Sequence, residues 1–89
     1  MIMNTKKSIH SPVYSELIDR LAEERKRLGL SQLEVANALN LTQADISKVE
    51  HKDRRLDVLE LKKMLEVYRV SENKKLREII INFFVVDKK

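Results

Sequence analysis

An all-α bundle of about five helices is the fold class this sequence predicts, on three observations. The 89 residues include one Gly and one Pro, too few for a sheet of many tight turns. Hydrophobic residues make up 43% and charged residues 36%, enough to bury one core behind a charged surface. One hexapeptide pattern recurs at 30–35, 41–46 and 56–61: an apolar residue, then Ser31, Thr42 or Asp57, then a carboxylate three residues later. Each copy can start a helix. The cap oxygen accepts from the third helical N–H, and the acid reaches back to the cap's own N–H.

Residues 1–10, with Lys6 and Lys7, read as a flexible arm. Ser11 and Pro12 open the first helix, because Pro at the first helical position lacks only an N–H that needs no partner. Tyr14, Leu17, Ile18, Leu21 and Leu28 supply its apolar face. Glu16, Asp19, Arg20, Glu23, Glu24, Lys26 and Arg27 supply its exposed face, and Gly29 its left-handed end. A second helix is expected over 32–39, burying Val35, Ala36 and Leu39 and ending at Asn40. A third should run from Gln43 to Glu50 or His51, with Ile46 and Val49 inward. Ser31 and Thr42 are eleven residues apart, room for two short helices and a tight turn: a helix-turn-helix, whose second helix can enter a major groove.

Residues 52–55 form a charged loop. A fourth helix follows Asp57, with Val58, Leu61, Met64, Leu65 and Tyr68 as its stripe. Ser71 is the expected cap of a last element, with Leu76, Ile79, Ile80 and Phe83 on one face and Ile81, Phe84 and Val85 on another. An element apolar on two faces needs two partners, and 79–86 reads as a dimerisation surface, with closure of its own core as the alternative. Its β-branched and aromatic residues keep a strand in competition with a helix. The chain thus divides into an arm at 1–10, a DNA-binding unit over 11–70 and a C-terminal helix or strand over 71–89.

The composition narrows the function. A net charge of +4 is consistent with a polyanionic partner. There is no Cys, and the two His are far apart with no metal-ligand spacing. No glycine-rich loop is present, so no enzyme, metal or cofactor is predicted. Residues 1–10 contain no apolar leader, and 79–86 is too short to span a bilayer. A cytoplasmic location is expected.

Residues 25–55 resemble the Cro/repressor-type, Xre-like, helix-turn-helix family. The resemblance lies in Arg25, the Gly29-Leu30-Ser31-Gln32 step, the small Ala36, Thr42-Gln43 opening the third helix, Ile46-Ser47 and the closing Glu50. With the first and fourth helices it covers most of 12–70. Two positions depart from the pattern: Asn40 replaces a turn glycine, and His51-Lys52 replaces the common Asn-Gly. The segment 54–60 resembles a subgroup of these regulators. The resemblance implies a lambda-repressor-like domain that binds double-stranded DNA as a homodimeric transcriptional regulator, a repressor, on a near-palindromic operator.

It also implies roles for residues. Gln43, Ala44, Ser47 and Lys48 occupy base-reading positions, where Gln suits adenine, Lys suits guanine and Ala suits a thymine methyl. Asp45 could accept from cytosine, but its capping role with Thr42 explains it. Gln32, Thr42, Lys52, Arg54 and Arg55 are the expected phosphate contacts. Arg25 and Glu50 match a structural ion pair, and Ile81, Phe84 and Val85 are the expected dimer contacts. The competing reading is a protein-interaction module, such as an antitoxin holding a toxin, in which the apolar 79–86 segment serves the partner.

Overall fold

Cap chemistry fixes where each helix begins in the computed structural model, which describes residues 11–85. The arm expected at 1–10 and residues 86–89 lie outside the described residues. Helix α1 spans Pro12–Arg27, α2 Gln32–Leu39, α3 Gln43–Glu50, α4 Val58–Val67 and α5 Lys74–Phe83, with a 3₁₀ turn at Val70–Glu72. No strand occurs among the described residues. Ser11 Oγ accepts from Tyr14 N–H at 3.2 Å. Ser31, Thr42 and Asp57 each form a complete capping box, with Glu34, Asp45 and Glu60 as the reciprocal acids.

Helix ends follow one recipe. After α1, Gly29 takes φ 74° while its N–H reaches Lys26 O and Leu30 N–H reaches Arg25 O, both at 3.0 Å. This is the paired closure of a Schellman motif, which needs a left-handed residue. Asn40 (φ 64°) repeats it after α2, with Leu41 N–H on Ala36 O at 2.8 Å. Lys52 (φ 65°) repeats it after α3, with Asp53 N–H on Lys48 O at 2.8 Å. So the His51-Lys52 departure keeps the turn and puts a lysine at its left-handed corner. Arg69 (φ 53°) makes the corner after α4.

One apolar cluster holds the helices together. Leu17 and Leu21 from α1, Val35 and Ala36 from α2, Ile46 from α3, Met64 from α4, and Leu76 and Ile80 from α5 meet there with Tyr68 and Val70. Ala36 is fully buried, so the small side chain sits where α2 packs against α3. Helix α1 carries α3 on one side and α5 on another, and α4 lies against α2.

Three expectations are corrected here. The last helix is capped by Asn73, which accepts from Leu76 N–H at 3.1 Å, and not by Ser71. The left-handed Arg69 turns Val70 into the core, and residues 70–72 form the 3₁₀ turn before the helix can start. Val58 is 77% exposed and Leu59 76%, because no described element covers the first turn of α4. Glu24, expected on the charged face of α1, is 5% exposed: Asn73 packs over it and donates to Oε1 at 3.1 Å, and Arg27 grips it bidentately at 2.9 and 2.7 Å. The 79–86 ambiguity resolves to helix through Phe83, with Val86 outside the described residues.

Candidate nucleic-acid interface

Helix α3 is anchored from beneath by Ile46 and Val49, both essentially fully buried. The helical period then places Ala44, Ser47 and Lys48 on the side away from the core. Gln43, Ala44 and Lys48 are exposed, and Ser47 is half-buried. All four expected base-reading residues therefore lie together along one outer strip, with one amide, one methyl, one hydroxyl and one ammonium supplied from about one and a half turns of helix.

A continuous polar chain runs from α1 to the start of that strip. Arg25 Nε donates to Glu50 Oε2 at 2.7 Å, and Nη2 donates to Oε1 at 3.0 Å. Arg25 Nη1 donates to Leu30 O at 2.9 Å, fixing the entry to α2. Gln32 Nε2 donates to the same Glu50 Oε1 at 3.0 Å, and Gln43 Nε2 donates to Gln32 Oε1 at 3.4 Å. The ion-paired side chains are only 10% and 11% exposed. Burial by itself would raise the Glu50 carboxyl, but its bonds from Arg25 and Gln32 outweigh that and hold it below the usual range. The Glu50 bonds raise Arg25 in turn.

Gln32 was expected on phosphate through the α2 N-terminus. Its side chain links Glu50 to Gln43, while Ser31 caps the Glu34 N–H and the first two N–H groups of α2 have no intrahelical acceptor. Thr42 is exposed; its Oγ1 accepts from Asp45 N–H at 3.1 Å and leaves its own hydroxyl proton free to donate. Asp45 returns the bond to Thr42 N–H at 3.0 Å, and its carboxyl lies below the usual range chiefly because of that N–H.

The basic loop is less open than expected. Lys52 Nζ pairs with Asp19 at 2.7 Å. Arg54, also expected on phosphate, is engaged within the protein. Its Nη1 and Nη2 donate to the two Glu60 oxygens at 2.9 and 3.0 Å, and its Nε lies 3.8 Å from Asp45 Oδ1. The Arg54 fork holds the Glu60 carboxyl low, and Glu60 raises Arg54. Arg55 is exposed, and its guanidinium has no partner among the described residues. His51 Nδ1 donates to Ser47 O at 2.8 Å, at the end of α3.

Two of these links were not legible from periodicity: Gln32 as the bridge to Gln43, and Arg54 as a clamp. The only sequence signal for the clamp is an arginine three residues ahead of an N-cap acid. The expected dimer contacts stand apart, at the end of α5, where Ile81, Phe84 and Val85 are exposed and Phe84 packs edge-on against Phe83 with ring centroids 5.0 Å apart. None of the described helices is long and apolar enough to cross a membrane. In comparison with known families, residues 21–75, more than half of the chain, match the model described as Helix-turn-helix. A search of curated proteins finds no match.

Proposed function

Since the chain belongs to the Cro/repressor-type helix-turn-helix family, a family of DNA-binding transcription regulators, we propose that it is a homodimeric repressor of a near-palindromic operator. Helix α3 enters the major groove in each half-site, with the two copies about one helical turn apart. Gln43 pairs with adenine, Lys48 donates to guanine, Ala44 meets a thymine methyl and Ser47 bonds either neighbour. The observation that carries this reading is the chain Arg25–Glu50–Gln32–Gln43. It holds the first reading amide from a buried ion pair, and a base-reading side chain discriminates best when its rotamer is fixed before binding.

Phosphates are met by the α2 N-terminus at Gln32, by the Thr42 hydroxyl and by Arg55. Lys52 joins them by leaving Asp19, because a surface ion pair contributes only about 0–1 kcal/mol. Residues 11–70 supply DNA binding and the outer edge of 71–89 supplies the second protomer, through Ile81, Phe84 and Val85. Leu76 and Ile80 favour treating both as one folding unit, since they share the main core.

A second reading rests on the same exposed apolar edge: an antitoxin-like module whose partner is another protein. Selection of bound sequences from random DNA, run with the purified protein at two salt concentrations, tests the first reading. A two-fold symmetric motif that survives the higher salt supports it. Binding that selects nothing and vanishes with salt reports phosphate attraction alone and sinks it.

A further inference from the structure

We infer that Arg54 is a positioning residue for sequence reading, which sets the pose of α3 by joining the capping boxes of α3 and α4. The inference rests on the DNA-reading proposal and deepens it. Three separate contacts converge on this residue. Its guanidinium fork closes on both oxygens of Glu60, the reciprocal acid of the α4 box, at 2.9 and 3.0 Å. Its Nε faces Asp45, the reciprocal acid of the α3 box, at 3.8 Å. Its backbone N–H donates to Lys48 O at 3.2 Å, beside that of Asp53 on the same carbonyl.

One residue thereby touches both ends of the reading strip. The side chain reaches the turn carrying Gln43 and Ala44, and the main chain reaches Lys48. Helix α3 has only eight residues, packs inward through two buried side chains and is otherwise tied to α1 and α2 through Glu50 and Gln43, so Arg54 supplies its side-chain tie to α4. A rotation that leaves the core intact still moves Ala44 and Lys48 across a base pair. The fork also faces Asp45 with a cation on the protein side. This offsets the carboxylate where it would meet the phosphates.

The alternative role, a direct phosphate contact, makes opposite predictions. A phosphate contact is served by any cation, so Arg54→Lys preserves it; a planar fork spanning two carboxylate oxygens is not reproduced by an ammonium. Loss of a phosphate contact lowers the slope of log K against log salt by about 0.9. Loss of a positioning residue leaves that slope unchanged and narrows the gap between the selected site and a scrambled duplex. Glu60→Gln separates the two most sharply. Gln keeps the capping-box geometry of α4 but releases the Arg54 fork. A phosphate-seeking arginine, once released, binds DNA more tightly.

The experiment measures affinity of the wild type, Arg54→Lys, Arg54→Gln and Glu60→Gln for the motif selected by the wild type and for a scrambled duplex, across a salt series. Far-ultraviolet circular dichroism through thermal unfolding confirms that each variant is folded at the assay temperature. The expected result is a loss of selectivity on the order of tenfold, equivalent to one misread base pair, in all three variants, with salt slopes equal to that of the wild type. Tighter binding by Glu60→Gln, retention by Arg54→Lys or a reduced slope in Arg54→Gln overturns the inference while leaving DNA reading intact. Failure of the wild type to select any motif removes both.

Discussion

Replacing Glu50 by Ala removes the carboxylate from a site where three side-chain hydrogen bonds converge, two from Arg25 and one from Gln32. The Arg25 guanidinium is nine-tenths buried and cannot regain full hydration without opening the contact between α1 and α3. Breaking one partner of a buried pair costs about 3–5 kcal/mol. Arg25 keeps its bond to Leu30 O, and the pair has an edge in solvent, so the lower end, about 3 kcal/mol, is expected here. For a domain of this size that lowers Tm by about 12–24 °C. Urea unfolding monitored by circular dichroism gives the free-energy difference. The double variant Arg25→Met, Glu50→Leu isolates the cause, because apolar replacement of both partners removes the stranded charge and should recover most of the loss. A loss below about 1 kcal/mol for Glu50→Ala, or no recovery in the double variant, would refute the claim that the pair is a buried structural element.

Acid should destabilise the fold in a defined window. Glu24, Glu50 and Glu60 all have folded-state carboxyls held below the ordinary glutamate value of 4.5, so the unfolded chain binds protons first. Their contribution is complete above that value and is lost as pH falls through the lower folded values, so the urea midpoint should be flat near neutrality and drop on acidification. Gly29→Ala should cost about 1 kcal/mol by the same assay, because a Cβ there meets nothing within 4 Å and the penalty is purely that of φ 74°. Lys48→Ala should relax preference at one defined operator position, visible as a flattened column in the selected motif; an unchanged motif removes Lys48 as a base reader. Phe84→Asp should shift sedimentation from dimer to monomer at micromolar concentration, and an unchanged mass would take α5 out of the interface.

The local signals were legible to the degree that they depend on neighbours in sequence. Capping boxes at Ser31, Thr42 and Asp57 involve residues three apart, and the chain places all three as their spacing implies. The left-handed ends at Gly29 and Asn40 were legible for the same reason. Signals that depend on distant packing were not. Glu24 looks like any surface acid in α1 until Asn73, 49 residues later, covers it. Ser71 offers as good a cap as Asn73, but only burial of Val70 decides between them. The reading strip was visible as a helical face, whereas the clamp of Arg54 depends on the path of a loop, and a basic cluster in sequence carries no information about which cation turns inward.

The four left-handed corners have a consequence for the cell rather than for the groove. Only one of them is glycine; Asn40, Lys52 and Arg69 hold the same conformation against the preference of an L side chain. Strain at such corners raises the population of unfolded chain, and the unfolded fraction is what proteases remove. Because these residues sit at helix exits and not on the Gln43–Lys48 strip, substitutions there can alter how many copies of the regulator persist without altering which sequence each copy prefers. For a DNA-binding regulator, whose occupancy of DNA depends on its concentration, turnover at corners such as Asn40 and Arg69 would act on abundance rather than on sequence preference.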